Sequence, residues 1–471
     1  MDTKTEMEQL QEKILYVRKN GYELLEESEK QKIMSFCEGY KTFLNTCKTE
    51  RECACWAEQQ AKANGFVPFE EKQQLQPGDK VYLTNDNKSI LLAVIGKRPI
   101  SEGVHIVAAH IDSPRLDLKQ NPLFEDSSVA YFKTHYYGGI KKYQWLAMPL
   151  AIHGVIVKND GSKVTIQIGE KESDPVFCVS DLLPHLANSQ MTEKASKIIE
   201  GEKLNVILGT VPVKDEKIKE KVKLNIMKML YDQYGITEKD FINADIEIVP
   251  AFQARDVGLD RSLIGAYGQD DRVCAYTAFQ GILETNAPEK TAICYLVDKE
   301  EVGSMDNTGM RSKFFENVLA KMCYRSMKDY TDIAVRDALS NSGCLSADVT
   351  LALDPNFPNV SEKRNTAYLN QGVSLMKYSG ARGKSGTNET SAEFVQKVTK
   401  LFDDHQVSWQ TCELGKIDEG GGGTVAQYLA VLDMQVIDCG VPLLSMHSPF
   451  EISAKYDVYH AFKGYRSYFN Q

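Results

Sequence analysis

The stretch that most constrains this chain runs from Thr291 to Ser304. Thr291-Ala292-Ile293-Cys294-Tyr295-Leu296-Val297 is a short β-branched and apolar run with Pro288 upstream, and it predicts a buried strand. Asp298-Lys299-Glu300-Glu301-Val302-Gly303-Ser304 follows at once. Two adjacent carboxylates therefore leave the carboxyl end of a strand, where open α/β sheets place their ligands. On an extended chain neighbouring side chains point to opposite sides, so one Glu is free to hold a metal while the other faces water or substrate. Alone, the pair also suits a solvated turn with two surface glutamates. The rest of the chain argues against that. Four other short stretches deliver a His or Asp to the end of a predicted buried strand or the start of a predicted helix.

Those stretches follow from the order of elements. The first part, from about Thr5 to Ala63, is helical by pattern: Glu6 to Arg18, Glu27 to Leu44, and a helix opened by the capping box Thr49-Glu50-Arg51-Glu52 and stopped near Asn64-Gly65. Lys80 to Leu83 and Ser89 to Ile95 predict a hairpin turned at Asn85-Asp86-Asn87. Val104 to Ala109 is a buried strand that ends in His110-Ile111-Asp112-Ser113-Pro114. Composition then changes near Leu116. Strand-like pieces (Ala151 to Lys158, Lys163 to Ile168, Val176 to Val179) and a charged stretch, Glu193 to Asp240, predicted as mostly helical, carry the chain to about Pro250. Strand–helix alternation is lost there and resumes at Gln269-Asp270-Asp271-Arg272, which opens a helix. Ala347 to Pro355 reads as another strand, Val436 to Val441 as the last one, followed by Met446-His447-Ser448-Pro449 and a closing helix from Asp457. The expectation is an α/β fold, a mixed sheet flanked by helices. Residues 1–115 and 255–471 form one discontinuous domain, and 116–254 form an inserted strand-rich domain that serves in dimerisation or as a lid.

Composition narrows the classes of function. A chain of 471 residues is too long for one ordinary core. Its 42% apolar and 25% charged residues are those of a soluble globular protein, and its formal net charge of -10 argues against nucleic acid or an anionic membrane as partner. No apolar window reaches the roughly 18 residues of a membrane span. Met1 to Glu12 is polar and lacks the basic start and apolar centre of a signal peptide. Eleven scattered cysteines, with Cys178, Cys294 and Cys439 in apolar runs, suit a reducing cytoplasm.

The polar residues at the element ends are His110 and Asp112, Asp270, Glu300 and Glu301, Asp348, and His447. Histidines with several carboxylates are a ligand set for Zn2+, with Mn2+ or Co2+ as alternatives. There are enough carboxylates for two ions sharing one Asp. Two metals roughly 3.5–4 Å apart bind a hydroxide and polarise a carbonyl, and a spare carboxylate takes the proton of the water. Asp112 suits the far ring nitrogen of His110. Each residue also has a plainer use: a core histidine at His110, a helix cap at Asp270, a turn at His447. Asp348 inside an apolar strand favours a ligand. Asp354 on the same strand is a rival, because even spacing puts both on one face.

The motifs His110-Ile111-Asp112-Ser113-Pro114-Arg115, Gln269-Asp270-Asp271-Arg272, Asp298 to Ser304, Ser346-Ala347-Asp348 and Met446-His447-Ser448, in this order, resemble the family of aspartyl aminopeptidases and vacuolar-type aminopeptidase I. The resemblance spans nearly the whole chain. It implies a two-zinc exopeptidase that removes N-terminal residues from peptides with a free N-terminus. His110 and Glu301 would bind one metal and Asp348 and His447 the other, with Asp270 as bridge, Glu300 as general base and Asp112 as the partner of His110. Asp271 stands where the aspartyl enzymes have Asn, so either Asp270 or Asp271 is the bridge. The family also implies assembly through the insertion into dimers and a tetrahedral twelve-subunit shell. His185, in Leu183-Pro184-His185-Leu186, would reach a neighbour's site, or is an ordinary loop residue. An acidic first substrate residue would need a buried cation, for which Arg382 and Lys384 are candidates. Two other functions suit the same core: a deacylase or carboxypeptidase, and a non-catalytic shell protein.

Overall fold

The computed structural model describes residues 5–23 and 25–471, the Glu12 side chain apart. The first four residues of the polar stretch Met1 to Glu12 lie outside it. A nine-stranded sheet runs in the order Val67–Pro68, Lys80–Asn85, Ser89–Val94, Ala292–Val297, His105–His110, Gly343–Ser346, Gln435–Gly440, Val373–Met376, Trp409–Thr411. Four central strands, from Ala292–Val297 to Gln435–Gly440 in that order, are parallel. Every residue of Ala292–Val297 and His105–His110 is buried, as expected of strands covered on both faces. The period of two sorts their side chains. Val107, Ala109, Cys294 and Leu296 join one core with the helices Glu27–Thr46, Glu50–Ala63, Gln269–Leu283 and Lys455–Phe469. Ile106, Ala108, Ile293 and Val297 join the other with Phe314–Ser326 and Asp332–Ser340.

Local expectations hold where the signal is chemical. Thr49 Oγ1 accepts from the Glu52 N–H and Glu52 Oε2 from the Thr49 N–H, closing the capping box at 3.2 and 3.1 Å. The hairpin turns at Asp86 and Asn87, both left-handed. The first helix is shorter than expected, Glu6–Ile14.

A second sheet of six strands takes its strands from Arg115–Asp126 through Ala244–Pro250, all antiparallel. It has its own core around Trp145, Ile152 and Ile248. The segment Glu193 to Asp240 is not mostly helical. Only Lys221–Tyr234 is an α-helix, preceded by a strand, Val206–Gly209. Gly209 and Pro212 interrupt any earlier helix, and Val206-Ile207-Leu208 pairs with the sheet instead. Val176 to Val179 forms isolated bridges rather than a strand. Cys178 is half-buried, unlike Cys294 and Cys439.

The third sheet was not anticipated. Arg255–Val257, Leu263–Ala266, Glu451–Ala454, Pro442–Leu444 and Thr350–Leu351 form it in that order. Ala347 to Pro355 is therefore not one strand. The parallel strand ends at Ser346, and the chain joins the small sheet at Thr350. Val436 to Val441 is likewise not the last strand. Gly440 permits the crossing: a Cβ there would lie 1.7 Å from the Asp348 carbonyl oxygen. This sheet brackets the loops that carry Asp270, Asp348 and His447.

Candidate active site

Parallel strands end on one side, so His110, the Glu300 turn, Asp348 and the loop to His447 meet at the carboxyl edge of the large sheet. His110 is the last residue of its strand, paired with Val297. Asp270 and Asp271 precede the regular part of the helix Gln269–Leu283, with non-helical backbone angles at both. The glutamates are not on an extended chain. Glu300–Val302 is a 3-10 turn, whose side chains diverge by about a third of a turn per residue. The divergence expected of a strand therefore comes from a turn.

Asp270 lies between the two imidazoles. Its Oδ1 is 3.2 Å from His110 Nε2 and its Oδ2 is 3.1 Å from His447 Nε2. Glu301 Oε1 is 3.6 Å from His447 Nε2, and Glu300 Oε2 is 3.9 Å from His110 Nε2. Among the described residues, two groups are compact enough to hold an ion: His110 with Asp270 and Glu301, and His110 with Asp271 and Asp348. The charges acting on Asp348 include Glu300, His110 and Asp270, whereas those acting on His447 are Asp270 and Glu301. His447 thus sits with Glu301, and Asp348 with His110. The loop after Pro442–Leu444 brings His447 to the Glu301 side of Asp270, while His110 is also grouped with Glu301, as the family resemblance implies.

Asp112 is wholly buried. Its carbonyl oxygen accepts from His110 Nδ1 at 2.9 Å, and its carboxylate is 3.4 Å from the same nitrogen. The carboxylate also accepts the backbone N–H groups of Glu300 and Glu301, at 3.1 and 3.2 Å. It orients the glutamate turn as well as the histidine. Asp271 Oδ2 accepts the His110 backbone N–H at 3.3 Å. Asp354 is not in the cluster: its carboxylate accepts from the Asn356 N–H at 2.8 Å in a turn. Lys384 pairs with Glu389 at 2.7 Å, and both Arg382 and Lys384 are exposed, so neither is a buried cation. His185 is exposed in the turn Pro184–Leu186 and touches none of these residues within the chain, among the described residues.

Pattern reading missed Glu451. It is 1% exposed, accepts from the Asp270 N–H at 3.1 Å and the His447 N–H at 2.7 Å, and so ties the His447 loop to Asp270, 181 residues before Glu451 itself. The only trace in the sequence is an acid inside Phe450-Glu451-Ile452.

The electrostatics call for positive charge. Burial raises Glu300 to about 7, His110 pulls it down, and Asp112 and Asp270 push it up again. Burial and neighbouring carboxylates raise Glu301, Asp348 and Asp271 well above the ordinary range. Burial opposes charge on His447, yet Asp270 and Glu301 outweigh it and lift the ring to about 11. Glu301 Oε1 and Asp271 Oδ1 are buried with no hydrogen-bond partner. So many largely buried acids side by side ionise together only with cations among them, and the donor set fits divalent metals.

Imidazoles and carboxylates gathered at the carboxyl edge of parallel strands, with a spare acid beside them, define a metallohydrolase. The chain belongs to the M18 peptidases: the family described as aminopeptidase I zinc metalloprotease (M18) matches residues 43–469. A probable M18 family aminopeptidase 1 of Clostridium acetobutylicum is 52% identical over 456 residues, 96% of this chain and 98% of that one. The crystal structure of an M18 aminopeptidase from Thermotoga maritima is 45% identical and matches with a TM-score of 0.93, covering 97% of this chain and 100% of that one. The mApe1 dodecamer of S. cerevisiae is 20% identical and shares the fold, with a TM-score of 0.75 over 92% of this chain and 96% of that one. The protein is thus a metal-dependent aminopeptidase, and the deacylase, carboxypeptidase and shell readings are not favoured.

Proposed function

We propose that the cluster holds two divalent ions, Zn2+ first, with Co2+ or Mn2+ as alternatives. Asp270 would be shared between them, with His110 and Asp348 on one side and Glu301 and His447 on the other. The observation that carries this reading is Asp270 itself, with one carboxylate oxygen about 3 Å from each imidazole nitrogen (3.2 and 3.1 Å). Asp271 packs beside Asp348 and is a supporting residue. When bound, such ions polarise a peptide carbonyl and make water more acidic.

Glu300 is the general base. Its carboxylate is partly exposed, 18%, on the His110 side of the cluster, and a raised carboxylate suits proton transfer near neutrality. It takes the proton of the attacking water and hands it to the departing amine. Asp112 holds Glu300 by its backbone and His110 by its ring. The substrate is a peptide with a free N-terminus.

The remaining parts of the reading concern the whole molecule. Residues 116–254 form the inserted domain on the frame of 1–115 and 255–471; the separate sheet and core between 115 and 250 support this. The protein is a homo-oligomer, with a tetrahedral dodecamer as the specific form. Exposed Val176, Leu182, Leu183, Leu186 and Met191 on the insertion support that, as does the assembly of the yeast relative. In such a shell His185, among these residues, faces a neighbouring subunit. Unpaired cysteines throughout support a cytoplasmic home, and no helix among the described residues is long and apolar enough to cross a membrane.

The test is metal exchange. Chelation is expected to remove peptide hydrolysis, and Zn2+, Co2+ or Mn2+ to restore it. Full activity in protein shown by elemental analysis to be metal-free would end this reading.

A further inference from the structure

The large sheet carries the Glu300 turn and its neighbours, yet two contacts that aim the site come from the six-stranded sheet. Tyr137 is the last residue of the strand Val129–Tyr137 and pairs with Arg115, where the chain enters that sheet from the His110 loop. Its hydroxyl donates to Asp112 Oδ2 at 2.7 Å. The same carboxylate accepts the Glu300 and Glu301 amides and lies 3.4 Å from His110 Nδ1. One hydroxyl therefore fixes the acid on which both glutamates and one imidazole depend. The Tyr137 ring is itself pinned. The Arg115 guanidinium lies 3.9 Å from its centre and is held in turn by Asp117 at 2.8 Å and Glu247 at 3.0 Å.

The next two residues act on the other half of the cluster. Gly138 turns the chain with φ +72°, and a Cβ there would lie 3.1 Å from Glu301 Oε2. The Gly139 carbonyl accepts from His447 Nδ1 at 2.8 Å. With Nδ1 bonded in this way, Nε2 is the ring nitrogen that faces Asp270 and Glu301. A Cβ at Gly139 would come 3.2 Å from that Nδ1, so a side chain there would press the ring out of place by a few tenths of an ångström.

We propose that Tyr137-Gly138-Gly139 is a positioning element of the metal centre, through which the inserted domain sets the aim of His447 and of the Asp112–Glu300 pair. The proposal rests on the ligand reading above. It makes the geometry of the centre depend on how the six-stranded sheet is seated, because one tripeptide from that sheet touches both sides of Asp270.

Three variants of the full chain test it: Tyr137→Phe, Gly139→Ala and, as control, Tyr136→Phe, whose ring is 40% exposed. Each is measured for thermal midpoint, metal affinity and stoichiometry, the visible spectrum of the Co2+ form, and kcat and KM separately. Tyr137→Phe is expected to fold normally, keep KM and lose about 10–100-fold in kcat, with a changed Co2+ spectrum. Gly139→Ala is expected to weaken one of the two metals by about 10–100-fold, and Tyr136→Phe to match wild type. Wild-type kcat, metal affinity and Co2+ spectrum in both test variants would overturn the proposal. So would a loss of rate in Tyr137→Phe that merely tracks a loss of folded protein. A wild-type protein that takes up no stoichiometric metal would instead refute the ligand reading itself.

Discussion

At the residue scale, the adjacent glutamates separate cleanly. Glu300→Gln keeps size and shape but cannot accept a proton, so turnover is expected to fall by about 10²–10⁴-fold with metal content nearly intact. Glu301→Gln is expected to weaken one metal, and excess metal to restore part of the rate. Turnover and metal stoichiometry on both variants check this. A Glu300→Gln protein that loses metal yet regains full rate with added Zn2+ would show the two roles exchanged. The candidate residues were legible because each sits at an element end and carries a polar group into an apolar setting. Their grouping was not. Asp348 and Asp354 share a parity in the sequence, but the parallel strand ends at Ser346, before both, and the chain joins another sheet between them at Thr350. His447 is set against Glu301 by a loop whose path no local pattern records. Glu451 and Tyr137 escaped notice because an acid or a tyrosine near a short strand is commonplace, and what distinguishes them is the partner across space.

At the element scale, capping chemistry and buried apolar runs were readable, and edges of the small sheets were not. Strands of two to four residues such as Thr350–Leu351 and Pro442–Leu444 hold too few side chains to show a period. The closing helix Lys455–Phe469 carries a pH dependence of its own. His460 is 3% exposed, its Nδ1 accepts from the Ser408 N–H at 2.8 Å, and burial, aided by Lys463, lowers it to about 3. The unfolded chain takes up that proton near pH 6.5. Folded protein therefore binds fewer protons between those values. The stability this neutral ring contributes is whole above about pH 6.5 and is lost progressively as pH falls toward 3. His105, also lowered to about 3 by burial and two lysines, adds in the same direction. Urea midpoints from pH 7 down to 4 are expected to fall, and His460→Gln to flatten the slope by up to about 1.4 kcal/mol per pH unit. An unchanged slope in the variant would show that His460 is already charged in the fold.

At the scale of the whole molecule, the apolar side chains exposed between Val176 and Met191 favour a cover in water. Sedimentation is expected to give a multiple of 52.9 kDa, with twelve copies as the specific form. A monomer mass at working concentration would remove the shell, and with it the role of His185 at a neighbour. Substituting Leu186, 69% exposed, and Met191, 72% exposed, by Ser is expected to shift the mass downward and leave the far-ultraviolet circular dichroism unchanged.

What the sequence determined by itself is what short-range chemistry encodes. Runs such as Ile293 to Val297 must be buried on both faces, and a polar group at the end of such a run must find a strong partner. That was enough to expect an α/β fold with polar candidates at its element ends; the resemblance to the aminopeptidase family, not local chemistry, implied a two-metal peptidase and the role of each residue. Only the tertiary structure decided which carboxylate stands beside which histidine, that a third sheet brackets the site, and that Glu451 and Tyr137 hold it in place. The reason is physical: those contacts join segments up to 308 residues apart, as between His447 and Gly139. Their energies come from desolvation and charge that exist only once the sheets have closed around them.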